Sequence, residues 1–149
     1  DIRHNFGKSL QVTKERLIIV SAFINDDVVN ADFISSLKAA IRRGAKIYLA
    51  IGDDDMAQGE AWKRAARDRA LASLARLQKE HPECVTVAQK HHHAKILVCD
   101  SQFAMTGSYN FLSFRGDHRK VRDEQAVLLR DPADIADVVK DIMKRFFSP

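Results

Sequence analysis

The sequence predicts an α/β fold: a mixed, largely parallel β-sheet sandwiched between helices. Three observations predict it. Two near-continuous apolar runs, at 17–20 and 47–51, have the pattern of strands buried on both faces. An amphipathic stripe at helical spacing lies between them, and strand, helix and strand within 16–52 make a βαβ unit whose strands should be parallel. Short apolar segments parted by a tight turn, then a last helical stripe, complete the second half.

Ile2, Phe6 and Leu10 recur at four-residue steps, so 1–14 reads as an amphipathic helix. The run from Arg16 to Phe23 is the first strand. Asn30 then resembles an N-cap for a helix over about 31–43, with Phe33, Ile34, Leu37, Ala40 and Ile41 as its stripe and Gly44 as its stop. Lys46–Gly52 is the second strand. A long helix, roughly Gly59–Lys79, carries Trp62, Ala65, Ala66, Ala70, Leu74 and Leu77 on one side, and Pro82 ends it. Its cations, among them Lys63, Arg64 and Arg67, make either a solvated face or a nucleic-acid groove, and the solvated face is the simpler reading. Val85–Ala88, Lys95–Cys99 and Phe103–Gly107 follow as strands, the last two joined by a turn at Asp100-Ser101. Glu124–Arg130 is the sixth strand, and Asp131-Pro132 opens a closing helix carrying Ile135, Val138, Val139, Ile142 and Phe146.

Composition bounds the class. Leu, Ile, Val and Phe make up 41 of 149 residues, about 28%, enough to build one core, and the length suits one domain spanning 1–149. No apolar run approaches the ~20 residues of a membrane span, and no secretory signal opens the chain. A cytoplasmic protein without membrane association is therefore expected. Asp1 stands where a methionine would, which predicts a processed chain or a domain with further domains before it. The two cysteines, Cys84 and Cys99, read as buried thiols of a reducing compartment. A net charge of +4 makes an anionic partner plausible without naming it.

The chemistry-bearing stretch is His93-Ala94-Lys95, then four residues to Asp100, then six to Gly107-Ser108-Tyr109-Asn110, giving H-x-K-x4-D-x6-G-S-x-N. His93 and Lys95, two apart at the start of a strand, leave the same face. A helix start after Gly107 would offer N–H groups and a positive dipole end to an anion. An imidazole, an ammonium and an amide converging there make a phosphate site with a nucleophile in it.

This pattern resembles the HKD motif of the phospholipase D superfamily, and every spacing matches. The βαβ opening and the length are similar to its small single-motif bacterial endonucleases. The resemblance implies a phospholipase D-like fold with one motif per chain and a phosphodiesterase, most readily a DNA endonuclease, needing no metal or other cofactor. It implies that His93 is the nucleophile, that Lys95 binds phosphate oxygens with Asn110 and Ser108, and that Glu124 orients a catalytic imidazole. Asp100 and Gly107 are then structural members of the motif. Two imidazoles are needed and one H-x-K exists, so a homodimer pairing two copies of His93 is expected, with His118 as the alternative acid. Lipid phosphodiester chemistry and a silent nucleic-acid-binding or dimerising module are the competing readings.

Other signals are weaker. His91 and His92 invite a metal reading, but adjacent side chains diverge, so flanking the site or meeting solvent is expected. Asp53-Asp54-Asp55 reads as an acidic helix start. Arg115, Arg119 and Lys120 lie between Asn110 and Glu124 in a basic loop suited to the phosphates of DNA.

Overall fold

The computed structural model describes residues 2–52, 60–107, 111–112 and 126–149. In chain order the elements are α1 (Ile2–Val12), β1 (Arg16–Ser21), α2 (Ala31–Arg42), β2 (Lys46–Ile51), α3 (Ala61–Glu80), β3 (Val85–Gln89), β4 (Ile96–Cys99), β5 (Phe103–Gly107), β6 (Ala126–Leu129) and α4 (Pro132–Phe146). Local chemistry sets the boundaries. Asn30 accepts a hydrogen bond from the Phe33 N–H at 3.0 Å, capping α2, and Gly44 leaves it at φ +102°, where a side chain would be strained. Asp131 caps α4 by accepting from the Ala133 N–H, with Pro132 in the first turn.

Among the described residues the sheet has six strands in the order β3-β2-β1-β4-β5-β6. β1–β2 and β2–β3 are parallel, as the βαβ unit requires, while β1–β4, β4–β5 and β5–β6 are antiparallel. The sheet is mixed as expected, but its parallel part is confined to one end. The reason is connection length. Only six residues, 90–95, join β3 to β4, too few for the crossover that a parallel strand would need. The hairpin at Asp100 then reverses the chain again.

Helices cover both faces. Leu17, Ile19, Ile47 and Leu49 point into one core with Phe33 and Leu37 of α2 and Leu74 and Leu77 of α3, while α1 adds half-buried Phe6 and Leu10. Ile18, Val20 and Val98 point the other way, onto Ile135, Ile142 and Phe146 of α4. Strands buried on both sides explain the unbroken apolar runs. Trp62 shares the apolar side of α3 with Ala70, Leu74 and Leu77 yet is 65% exposed, and the helix has no fully buried residue before Ala70. The expectation of two buried thiols changes in part: Cys99 is fully buried, but Cys84 is only half-buried, and both are free thiols.

Candidate active site

One edge of the sheet gathers the motif. The register pairs Ser21 with Ile51, Ile51 with Gln89, Val20 with Ile96, and Gly107 with Ala126. The C-terminal ends of β1, β2, β3 and β5 therefore share an edge with the start of β4, the edge where ligand sites of open α/β sheets gather. Close strand ends are enforced at Gly52, whose N–H donates to the Ser21 carbonyl at 3.0 Å. A Cβ there would collide with the backbone carbonyl of Ala22.

Residues 90–95 run along this edge past the ends of β2 and β1. The Lys90 N–H is still held by the Ile51 carbonyl of β2 and the Lys95 carbonyl by the Gly107 N–H, so five steps of chain cross three strand spacings, about 14 Å, and the segment is extended rather than turned. Extension alternates the side chains. His91 and His93 meet on one side, ring centroids 5.4 Å apart and edge to face. His92 turns the other way and is buried, its ring 4.8 Å from Phe146 of α4. Its Nδ1 accepts from the Ala94 N–H at 3.2 Å, which assigns the proton of the neutral ring to Nε2. The Lys90 ammonium donates to the Arg145 carbonyl at 2.7 Å, on the last turn of α4. The segment is thus clamped to α4 at two points, leaving the His93 ring exposed. The expectation that His92 flanks the site or meets solvent is corrected in its second part: His92 is buried and anchors the segment. Alternation in an extended segment is the signal that points to it, since the middle of three consecutive histidines must face away from the outer two.

His93 and Lys95 precede β4 rather than beginning it. They stay together, the Lys95 ammonium donating to the His93 carbonyl at 2.8 Å. The Lys95 carbonyl accepts from the Gly107 N–H at 3.2 Å, so the two halves of the motif abut through backbone. Asp100 is elsewhere. It lies at the far end of β4, roughly 16 Å of strand from Lys95. Its buried carboxylate accepts from the N–H groups of Lys14, Glu15 and Arg16 at 3.0, 2.9 and 2.8 Å, tying the hairpin to the start of β1.

Ser108, Asn110, Arg115, His118, Arg119, Lys120 and Glu124 lie outside the described residues, as do Asp53, Asp54 and Asp55. Their described flanks are fixed at the same edge. Gly107 pairs with Ala126, and between them Phe111 and Leu112 are buried. The Leu112 carbonyl accepts from the Asn25 N–H at 3.1 Å, just beyond β1. Among the described residues no group of three or more histidine, cysteine or acidic side chains could hold a metal ion, and no helix is long and apolar enough to cross a membrane.

Strand order and the placing of the H-x-K segment on it define the class, a phospholipase D-like domain. The chain belongs to that family: the family model described as cardiolipin synthase, PLD-like domain, matches residues 8–147. No curated protein matches it. Solved structures that share its fold include these three. Nuc, a phospholipase D family member from Salmonella typhimurium, is 15% identical, with 96% of this chain and 85% of that one covered at a TM-score of 0.62. The archaeal chromatin protein TrmBL2 is 11% identical, covering 95% and 46% at 0.60. Phosphatidylserine synthase from Haemophilus influenzae Rd KW20 is 12% identical, covering 97% and 36% at 0.67.

Proposed function

We propose that the protein is a metal-independent phosphodiesterase acting on nucleic acid, most directly a DNA endonuclease, with His93 as its nucleophile. The observation that carries this reading is the intact H-x-K and G-S-x-N pattern together with the backbone contact that joins Lys95 to Gly107 at one sheet edge. His93 attacks phosphorus, and the bond to the leaving oxygen breaks as that oxygen takes a proton from a second imidazole. Water then cleaves the phosphohistidine, giving its proton to the same imidazole and restoring His93. Lys95, with Ser108 and Asn110, neutralises the phosphate oxygens, and Glu124 orients an imidazole. Arg115, Arg119 and Lys120 contact neighbouring phosphates.

The second imidazole belongs to a second copy in this reading. In-line displacement needs the acid across the phosphorus from the nucleophile, roughly 7 Å between the two nitrogens. His91 stands edge-on beside His93 instead. A homodimer with both His93 side chains over one anion pocket supplies the geometry.

Incubation with plasmid or oligonucleotide DNA in excess EDTA tests the reading. Cutting that survives the chelator and drops at least about a thousandfold in His93→Ala is expected. A second reading, phosphatidyl transfer, draws on the family description and on the fold shared with phosphatidylserine synthase, while TrmBL2 carries DNA binding in the description of its structure. Turnover of a phosphatidylcholine analogue with DNA left untouched would replace the nuclease reading with the lipid one.

A further inference from the structure

The N-terminal part of α3 is built unlike a core helix. All four residues of its first turn, Ala61 to Arg64, are exposed, and about 13 Å of helix passes before Ala70, the first fully buried residue. Exposed at 65%, Trp62 is the sole tryptophan of the chain. Its large aromatic face is therefore open to solvent, available to a flat ring. The ring is held rather than loose: the Glu60 carboxylate accepts from its indole N–H, and the Lys63 ammonium lies 5.4 Å from its centroid. Arg67 donates to the Gly52 carbonyl at 3.3 Å, which places this end of the helix at the same sheet edge as His93 and on the face opposite α4. From Glu60 to Asp68 the chain carries three cations, Lys63, Arg64 and Arg67, against two acids, Glu60 and Asp68.

Resting on the nucleic-acid reading, we propose that this turn is a stacking platform for a single-stranded substrate. An unpaired base lies on Trp62, and Lys63, Arg64 and Arg67 hold the adjoining backbone as the strand crosses the edge towards His93. A fixed aromatic ring among cations suits this occupant, because every base offers a π-face while its phosphates take the positive charge. A duplex, whose bases are already stacked on each other, gains only the charge contacts.

The lone tryptophan reports the contact directly. The full chain carrying His93→Ala, to prevent turnover, is titrated in EDTA with a twelve-residue oligodeoxythymidylate while indole emission is followed. Saturable quenching that weakens with salt is expected. By anisotropy of a labelled oligonucleotide, Trp62→Ala should bind about tenfold or more weakly and Trp62→Phe within about threefold of the parent. In the active chain Trp62→Ala should raise KM for the oligonucleotide and leave kcat and duplex cutting near their starting values. Emission unmoved by an oligonucleotide that the chain binds or cuts would overturn the platform and leave the nuclease reading standing. Emission shifted by phosphatidylglycerol vesicles, and not by the oligonucleotide, would overturn it in favour of a lipid surface. If the unaltered chain neither binds nor cuts nucleic acid, the nuclease reading itself falls and the platform falls with it.

Discussion

The Asp100 carboxylate shows how one motif residue can serve the fold from a distance. Three backbone donors converge on it, and its own backbone sits at φ +51°, a conformation that Asp tolerates better than most residues. Removing a buried, charged acceptor strands those donors. Asp100→Ala should therefore cost about 3 kcal/mol, and Asp100→Asn about 1–2, in urea unfolding. The thiols give a second test at this scale. Burial pushes the Cys99 thiol above its ordinary value, with Thr13 opposing at an Oγ1–Sγ distance of 3.3 Å. The folded state then holds the thiol proton more tightly than the unfolded chain does. That contribution is complete below about pH 9 and is lost as pH rises through the raised value, so stability falls on the alkaline side. Replacing Cys99 by Val should flatten that alkaline decline in urea midpoints measured from pH 7 to 10. The roles proposed for His93 and Lys95 rest on residue type and spacing, which are covalent properties of the chain. The exposure of Trp62 is not legible in the same way, because helical periodicity says which face a residue occupies and not whether a core lies beneath it.

At the scale of elements, the extended 90–95 segment is what positions the candidate nucleophile, and α4 is what holds the segment. His92→Ala removes both the ring against Phe146 and the acceptor for Ala94. It should lower stability by about 2–3 kcal/mol and kcat more than KM, because the nucleophile loses its alignment. His92→Phe keeps the packing and loses only the acceptor, so it should recover most of the stability and less of the rate. Gly52→Ala should be worse folded than either, since the Ala22 carbonyl cannot yield without parting the ends of β1 and β2. Most elements are legible in the amino-acid sequence: apolar runs mark the buried strands, and Asn30, Gly44 and Asp131-Pro132 mark helix ends. The direction of β4 is not. It depends on the brevity of the loop before it and on which edge the chain leaves, and both are properties of topology rather than of any local pattern.

At the scale of the whole molecule, the proposal needs two chains for one reaction. A shared site makes a definite prediction for mixed subunits. After equal amounts of unaltered chain and His93→Ala exchange, a site needing both His93 rings leaves about a quarter of the activity of the unaltered protein, whereas one site per chain leaves about half. Turnover by an obligate monomer at micromolar concentration would move the second proton donor into the same chain. Beneath both outcomes lies the claim that His93 bonds to phosphorus. Quenching the protein in alkaline denaturant during turnover of a DNA oligonucleotide in EDTA, followed by peptide mass measurement, tests that claim most directly. A phosphoryl-linked oligonucleotide on the peptide containing His93, absent from His93→Ala, is expected. Sustained cutting with that peptide unmodified, or an equal rate in His93→Ala, would contradict it.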